Sequence, residues 1–370
     1  MRNIKYMLIS LLMLSLNIGA KNDQRVQNFN QNWRFTLADS TLNASAPGFN
    51  DNTWRSLNLP HDWSIESDFG KDFPASPGGG ALPGGLGWYR KNFTVDKANS
   101  GKRIYIDFDG VYRNSEVWIN GTSVGKRPYG YISFRYDLTP YIKFGENNVI
   151  AVKVDNSKQP NSRWYSGSGI FRNVWLVTLN PVHVDHWGTY VTTPEINADS
   201  AQVTIQTTVK NDANKLRTVR VEQLLYDAQG ILVGKADGSF YVNAGTSHQY
   251  TQRIIVKKPV LWNIENPYMY KLVTRTHALA RLTDEYVTPV GIRSFVFNVK
   301  KGFILNGKHI KINGVCNHHD LGAWGAAVNT RAIERQLEIL KEMGCNGIRT
   351  SHNPPAPELL DLCDRLGFIV

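Results

Sequence analysis

Apolar and polar positions alternate in short runs through the first half of the chain. The runs are separated by turn residues, and Asn120-Gly121 is a strong two-residue hairpin signal. The strands that the pattern predicts here are Gly87–Val95, Arg103–Phe108, Glu116–Ile119, Thr122–Arg127, Ile132–Tyr136, Asn148–Val154 and Asn173–Leu179. Strands with no helix between them predict a β-sandwich of two sheets.

A second all-β region follows, from about His183 to Phe297. The segment Val203–Val209 alternates strictly between apolar and polar residues, and further strands are predicted at Thr218–Tyr226, Ile231–Val233, Tyr270–Thr276 and Tyr286–Ser294. About 115 residues with some seven strands are typical of an immunoglobulin-like sandwich. The region contains no cysteine, which excludes the disulfide of antibody domains.

From Phe303 onward the pattern changes from strands alone to strands that alternate with helices. The predicted elements are a hairpin at Asn306-Gly307, a strand at Ile310–Cys316, a helix at Thr330–Met343, a strand at Asn346–Thr350, a helix at Glu358–Arg365 and a strand from Phe368. The inward faces of the two helices are predicted to carry Ile333, Leu337 and Leu340, and Leu359, Leu360, Cys363 and Leu366.

Strands alternating with helices indicate the start of a (β/α)8 barrel. A complete barrel needs about 250 residues, and 72 residues follow Asn298. We therefore expect the barrel in this chain to be truncated.

The first twenty residues have the pattern of a secretory signal peptide. Arg2 and Lys5 precede an apolar run of ten residues, and small residues follow it at Gly19-Ala20. Ten residues are too few to span a bilayer. We expect an exported protein, periplasmic or secreted, that is not bound to a membrane.

Charge and cysteine content exclude several classes of function. The formal net charge is +11, but Lys and Arg are scattered among apolar residues, as expected for the solvated faces of strands. We therefore expect no nucleic-acid partner. The three cysteines, Cys316, Cys345 and Cys363, lie in or beside apolar segments and lack metal-ligand spacing, which favours buried structural thiols.

These boundaries divide the chain into four segments. They are a signal peptide at residues 1–20, a first β-sandwich domain at 21–182, an immunoglobulin-like sandwich domain at 183–297 and the truncated barrel at 298–370.

Several motifs in a fixed order resemble those of glycoside hydrolase family 2, the family of β-galactosidases, β-glucuronidases and β-mannosidases. They are Leu59-Pro60-His61-Asp62-Trp63, Gly87-Trp88-Tyr89-Arg90-Lys91, Val117-Trp118-Ile119-Asn120-Gly121, Gly169-Ile170-Phe171-Arg172-Asn173, Gly314-Val315-Cys316-Asn317-His318-His319-Asp320 and Arg349-Thr350-Ser351-His352-Asn353-Pro354. The resemblance covers nearly the whole chain after residue 20. It implies a multidomain, mainly β fold: a jelly-roll sugar-binding domain, an immunoglobulin-like domain and the first βα units of a TIM (β/α)8 barrel.

Polar residues follow both predicted barrel strands, at the ends that line the active site in such barrels. The first set is Asn317, His318, His319 and Asp320, and the second is Arg349, Ser351, His352 and Asn353. The resemblance implies that His318 and His352 bind substrate hydroxyls and stabilise the transition state, and that Arg349 orients a nucleophilic glutamate. Asn317 and Asn353 are further candidates for substrate binding, although Asn353 replaces an aromatic residue common in the family.

Retaining hydrolysis of a glycoside needs two carboxyl groups about 5–5.5 Å apart. Of the acids in the barrel segment, Asp320 alone follows a strand. The resemblance implies that both catalytic glutamates belong to later strands, so we expect no catalytic residue in this chain and an inactive fragment. Arg163 occupies the position of a cation-binding carboxylate of β-galactosidases, and we expect neither a metal nor a cofactor.

Five aromatic residues of the first domain are candidates for stacking on sugar rings: Trp88, Tyr129, Tyr131, Trp164 and Tyr165. The alternative is that they pack in the core or between domains, which is the commoner role of aromatic residues in a β-sandwich.

The resemblance implies retaining hydrolysis of terminal non-reducing β-D-galactosides, with a β-linked glycan or oligosaccharide as partner. The alternatives are β-glucuronidase or β-mannosidase activity, or a non-catalytic carbohydrate-binding protein. Whether the protein forms a homo-oligomer is left open.

Overall fold

The computed structural model describes residues 25–370, so the predicted signal peptide lies outside the described residues. No helix of residues 25–370 combines the length and the apolar character needed to cross a bilayer.

The first domain is an antiparallel sandwich of two sheets. Its strands are β1 (Val26–Asn28), β2 (Trp33–Ala38), β3 (Arg55–Leu57), β4 (Gly85–Thr94), β5 (Arg103–Phe108), β6 (Ser115–Ile119), β7 (Thr122–Arg127), β8 (Phe134–Asp137), β9 (Asn147–Asn156) and β10 (Val174–Leu179). One sheet has the order β3-β2-β4-β9-β6-β7 and the other β1-β10-β5-β8. Between them lies an apolar core that includes Trp33, Tyr89, Ile106 and Phe108.

The strong hairpin signal in this domain is confirmed. Asn120 and Gly121 have φ values of 49° and 87°, and they join β6 to β7. Positive φ at both central residues is the type I′ geometry that Asn-Gly favours.

The second domain is the predicted sandwich of seven strands. They are β11 (Val182–Ile196), β12 (Ser200–Asn211), β13 (Arg217–Tyr226), β14 (Leu232–Val242), β15 (Thr246–Lys257), β16 (Tyr270–Ala278) and β17 (Arg281–Val290). The sheets have the orders β11-β12-β15 and β14-β13-β16-β17. Every second residue of β12 is buried, which places Val203 and Ile205 in the core.

The third part begins with a meander of β18 (Phe295–Asn298), β19 (Gly302–Leu305) and β20 (Lys308–His309). The strands β21 (Gly314–Asn317) and β22 (Gly347–Thr350) then pair in parallel. Helix α1 (Thr330–Glu342) connects them, and α2 (Pro357–Leu366) leads to Ile369, which pairs in parallel with Gly347. These are the first βα units of a barrel, although β21 begins at Gly314 and not at Ile310 as predicted.

Both helices begin and end within one residue of the predicted bounds, and one of their inward residues was predicted wrongly. Ile333 and Leu337 of α1 are buried, as are Leu362 and Cys363 of α2. Leu360, predicted to face inward, is 42% exposed. It lies about 100° around the helix from Leu359, away from the face that packs on β22 and α1.

The prediction of buried thiols holds for one cysteine of three. All three thiols are free, with Cys363 buried, Cys345 partly buried and Cys316 exposed. Burial raises the pKa of the Cys363 thiol to about 12. Cys316 is exposed because its side chain alternates with that of Val315 and lies on the opposite face of β21, away from the helices.

The barrel segment is joined to the first domain by the buried side chain of Arg172. Its Nη1 donates hydrogen bonds to the carbonyl oxygens of Asp109 (3.3 Å), Tyr131 (3.0 Å) and Pro355 (3.2 Å), and its Nη2 donates to that of Pro354 (2.8 Å). Two of these acceptors belong to each side of the boundary, so one guanidinium links the two parts.

Contacts with the second domain complete the attachment. The indole Nε1 of Trp262 donates to the carbonyl oxygen of Asp364 at 2.7 Å, and Lys341 Nζ donates to that of Ile264 at 2.8 Å. Gly367 ends α2 with φ 75° and lies so close to Ile264 that any side chain would overlap the Ile264 carbonyl oxygen.

Candidate active site

The two barrel strands bring their carboxyl-terminal ends to one edge, because they are parallel and in register. Asn317 pairs with Thr350, and the amide of Ser351 donates to the carbonyl oxygen of Asn317 at 2.8 Å. His318 and His352 therefore emerge side by side at the edge where barrels of this type carry their active sites.

Three rings form the centre of this edge: His318, His352 and Trp164. The centroids of the two imidazoles are 6.0 Å apart, and each lies 5.8 Å from the centroid of Trp164. Both histidines are exposed, and Trp164 is partly buried. We call this group the three-ring cluster.

Trp164 belongs to the first domain, in the loop between β9 and β10. Its indole Nε1 donates to the hydroxyl of Tyr131 at 3.1 Å, and Tyr131 is itself buried. This hydrogen bond fixes the indole ring beside the two histidines. Sequence reasoning left Trp164 undecided between sugar stacking and packing, and the structure places it at the site.

The other four aromatic candidates have different surroundings. Trp88 is buried and stacks on Trp118 with centroids 5.2 Å apart, so it is a core residue. Tyr165 donates from its hydroxyl to Asp62. Tyr129 is 47% exposed, and its ring lies 5.7 Å from that of buried Tyr131.

Asp62 fixes the loop that carries Trp164, a role that the sequence did not reveal. Its buried carboxylate accepts hydrogen bonds from the amides of Ser64 (3.0 Å), Ser168 (2.9 Å) and Ala326 (2.9 Å), as well as from the Tyr165 hydroxyl. Burial raises the pKa of this carboxyl group, and the four donors oppose that effect. Because Ala326 belongs to the barrel segment, Asp62 positions the loop relative to the barrel.

Arg349 lies on β22 with its side chain exposed. Its Nη1 is 3.9 Å from the sulfur of Cys316, and within residues 25–370 the guanidinium forms no salt bridge. The side chain projects from the same strand that leads to His352. It is thus available to a carboxylate at this edge, as the role implied by the family requires.

Asn317 and Asn353 flank the two histidines in sequence. Asn353 is 8% exposed and Asn317 is partly buried, and both residues line a small cavity together with His319. Both are therefore in a position to support the histidines, and direct contact with a substrate would require Asn353 to be more exposed.

His319 is the less exposed member of the histidine pair. Its ring packs against those of Tyr131 and Phe171, with centroids 5.1 and 5.9 Å away, and its Nε2 lies 3.3 Å from the carbonyl oxygen of Ser166. Burial lowers the pKa of His319 to about 4. The imidazole is therefore neutral at pH 7, and Nε2 carries the hydrogen because a carbonyl oxygen can only accept.

This pKa predicts an acid-sensitive contribution to stability. Below the ordinary pKa of 6.5 the unfolded chain binds a proton at His319, whereas the native chain does so only near pH 4. The stabilisation is thus complete above pH 6.5 and is lost as the pH falls towards 4, by about 3 kcal/mol of unfolding free energy. The measurement is the difference in unfolding free energy between wild type and His319→Gln, by urea denaturation from pH 7 to 4.

The two proteins must be compared because other titratable groups change the unfolding free energy in the opposite direction as the pH falls. Burial raises the pKa of Asp109 to about 6, which favours the native state as the pH falls. The matched control is His318→Gln, at the exposed neighbour, which should keep the pH profile of the wild type. A His319→Gln profile parallel to that of wild type would contradict the prediction.

Carboxylates are scarce at this edge. The segments 314–320 and 347–353 contain one acid, Asp320. Glu334 and Glu338 pair with Arg331 on the surface of α1, and Glu358 accepts a hydrogen bond from Asn173. Retaining hydrolysis needs two carboxyl groups, and these two strand ends supply only one.

No metal site is apparent in the described part of the chain. Within residues 25–370, no three His, Cys, Asp or Glu side chains are placed to hold an ion. Arg163 is exposed.

Three family models match this chain in succession. The sugar binding domain of glycosyl hydrolases family 2 matches residues 26–180, the model described as glycosyl hydrolases family 2 matches 182–293, and the TIM barrel domain of the family matches 297–370.

Curated relatives are similar over nearly the whole chain. Beta-galactosidase BoGH2A of Bacteroides ovatus is 60% identical over 92% of this chain, and a putative beta-glucuronidase of Formosa agariphila is 41% identical over 97%. The chain spans 40% and 34% of the lengths of these two relatives.

Solved structures show the same arrangement of domains. A glycosyl hydrolase family 2 member from Bacteroides cellulosilyticus has a TM-score of 0.90 at 40% identity, covering 93% of this chain and 45% of its own. A beta-glucuronidase of the family has a TM-score of 0.87 at 31% identity, covering 93% of this chain and 38% of its own. With three matched domains in order and a barrel edge that carries the expected histidines, the chain belongs to glycoside hydrolase family 2.

Proposed function

We propose that this chain forms the sugar-binding side of a glycosidase that hydrolyses terminal non-reducing β-D-galactosides with retention. The observation that carries the proposal is the three-ring cluster at the strand ends, with Arg349 on the adjoining strand. The relative that is 60% identical is named a beta-galactosidase, which favours galactosides as substrates.

The three rings of the cluster and Arg349 each have a definite task in this proposal. His318 and His352 present ring nitrogens to the hydroxyls of the sugar, where hydrogen bonds that strengthen as the ring flattens stabilise the oxocarbenium-like transition state. Trp164 supplies an apolar wall against one face of the sugar. Arg349 makes a charge-assisted pair with the nucleophilic carboxylate and keeps it ionised.

The two carboxyl groups must come from elsewhere in the enzyme. We propose that they belong to the part of the family barrel that this chain does not include, since the chain spans 40% of its 60% identical relative. One carboxylate would attack the anomeric carbon while the other protonates the leaving oxygen, and the second would then activate water to release the sugar.

A second candidate function is β-glucuronide hydrolysis. It is favoured by the names of relatives that are 41% and 31% identical to this chain. The cluster contains no group specific for the carboxylate of a glucuronide or for the corresponding hydroxymethyl group of a galactoside. The higher identity of the relative named a beta-galactosidase supports galactosides as the first choice.

The experiment that tests the proposal is a chimera. Residues 25–370 replace the equivalent part of Beta-galactosidase BoGH2A, which supplies the remaining barrel strands. We expect the chimera to hydrolyse aryl β-galactosides with retention and to prefer them to aryl β-glucuronides and β-mannosides. His352→Ala should lower its kcat by about 10²–10³-fold, the usual effect of removing a donor that stabilises charge in the transition state.

The matched control for the wall residue uses a second tryptophan. Trp164→Leu should raise KM, whereas Trp187→Leu, at a position 68% exposed on β11 of the second domain, should leave both constants unchanged. A chimera that hydrolyses aryl β-glucuronides faster than aryl β-galactosides would contradict the proposed galactoside specificity. Equal activity of His352→Ala and the parent would remove this histidine from the mechanism.

A further inference from the structure

A small, partly open cavity of about 40 Å³ lies beside the three-ring cluster, between the strand ends and helices α1 and α2. Its apolar lining comes from helix residues such as Ile333 and Leu359. Its polar lining includes Asn317, His319, Asn353 and Arg172, together with His318, Gln336, Thr350 and Ser351. The cavity therefore adjoins both segments that carry the exposed histidines.

Four buried polar atoms of this lining have no hydrogen-bond partner within residues 25–370. They are Nδ2 of Asn317, Nδ2 of Asn353, Nε of Arg172 and Nδ1 of His319. Buried polar groups are almost always paired, because leaving one unpaired is costly. The four residues that carry these atoms all line the one cavity, which points to a common occupant.

The chemistry of the four atoms selects this occupant. The two amide groups and the guanidinium nitrogen are donors, whereas Nδ1 of His319 offers a lone pair because Nε2 donates to the carbonyl oxygen of Ser166. A cation would face three donors, and an anion would face the lone pair of Nδ1. Water satisfies both kinds of partner, since it accepts two hydrogen bonds and donates two.

The volume of the cavity limits the number of water molecules that it can hold. One water needs roughly 10–15 Å³ of a cavity measured in this way, so about 40 Å³ accommodates up to three waters and excludes a sugar ring.

We propose that this cavity is an internal hydration site in which one to three ordered waters bridge the amides of Asn317 and Asn353 to Nδ1 of His319. Asn317 precedes His318 in the chain, and Asn353 follows His352. The bridge thus ties the two histidine-bearing segments together below the surface, in addition to the backbone hydrogen bond between Ser351 and Asn317. Asn317 and Asn353 are positioning residues; that consequence for catalysis rests on the proposed function, whereas the hydration site does not.

A crystal structure of the 370-residue protein grown in sodium bromide tests the site directly. We expect ordered water density within hydrogen-bond distance of both amide nitrogens and of His319 Nδ1. An anomalous bromide peak in the cavity would overturn the assignment to water, and so would a cavity without density. ¹⁵N NMR of the histidines should show the neutral His319 tautomer with its hydrogen on Nε2, and an imidazolium at pH 7 would also overturn it.

A double-substitution series tests the bridge in solution. Asn317→Leu and Asn353→Leu should each lower Tm by about 2–4 °C, and the double variant should lose clearly less than the sum because either change alone removes the shared water. The control is Thr350→Val, which lines the same cavity without an unpaired atom and should keep the waters. Strictly additive losses would show that the two amides share no water. None of these readouts involves catalysis, so they can fail while the galactosidase proposal stands.

Discussion

A polypeptide of these 370 residues should release no detectable aryl group from aryl β-galactosides, β-glucuronides or β-mannosides. His318, His352 and Arg349 can bind a sugar and stabilise charge, but none of them can serve as a carboxylate nucleophile or protonate the leaving oxygen. Rate enhancements of enzymes are at least about 10⁶-fold, and we expect the loss of the carboxyl pair to remove nearly all of this. The measurement is release of 4-nitrophenol by the purified chain over long incubations.

The chimera with the remaining barrel strands is the positive control, because it restores the carboxylates to the same sugar-binding edge. One result would contradict the expected inactivity of the 370-residue chain. Turnover by the 370-residue chain that disappears in Asp320→Asn would assign a catalytic role to the single acid of the strand ends, and the need for a second carboxyl group would be refuted.

Arg172→Met should detach the barrel segment from the first domain. The substitution leaves four carbonyl oxygens without their donor, and hydrogen bonds to a charged group typically contribute about 1.5–3 kcal/mol each, so the loss should reach several kcal/mol. We expect this loss in the free energy of unfolding by urea. We also expect residues 298–370 to become sensitive to protease while the two sandwiches stay intact.

The matched control is Arg331→Met on α1, where an exposed arginine pairs with Glu334 and Glu338. Surface pairs contribute about 0–1 kcal/mol, so this variant should unfold close to wild type. If both variants lost the same stability, or if Arg172→Met kept its barrel segment protected, the contacts of Asp62 and Trp262 would have to be the main attachment.

Local patterns predicted most of the fold because they depend on neighbours in the chain. Alternation identified β5 and β12, and the Asn-Gly pairs placed two hairpins, since each reports a backbone geometry that a few residues determine. The parallel strands also brought His318 and His352 together as expected. The error at Leu360 arose on a short helix, where a shift of one residue rotates a side chain by about 100°.

The attachment of the domains could not be predicted in this way. Arg172 reaches acceptors 182 and 183 residues later in the chain, and Asp62 accepts from an amide 264 residues away. Both are charged residues in loops, where sequence patterns normally indicate solvent exposure. Each is buried only because a distant segment supplies its partners, and that information appears only when the chain has folded.

Trp164 belongs to the first domain, whereas the two histidines beside it belong to the barrel segment. This division matters when domains are exchanged between related proteins. If the proposed function holds, a recombination that joined a new sandwich to this barrel would exchange Trp164, one wall of the proposed sugar site, along with the outer domain. Under that proposal, the unit that determines specificity is the barrel edge plus the 162–168 loop, together with Asp62, whose carboxylate accepts hydrogen bonds from the amides of Ser168 and Ala326. Lineages that reshuffle these domains should change substrate preference even when every residue of the barrel is retained.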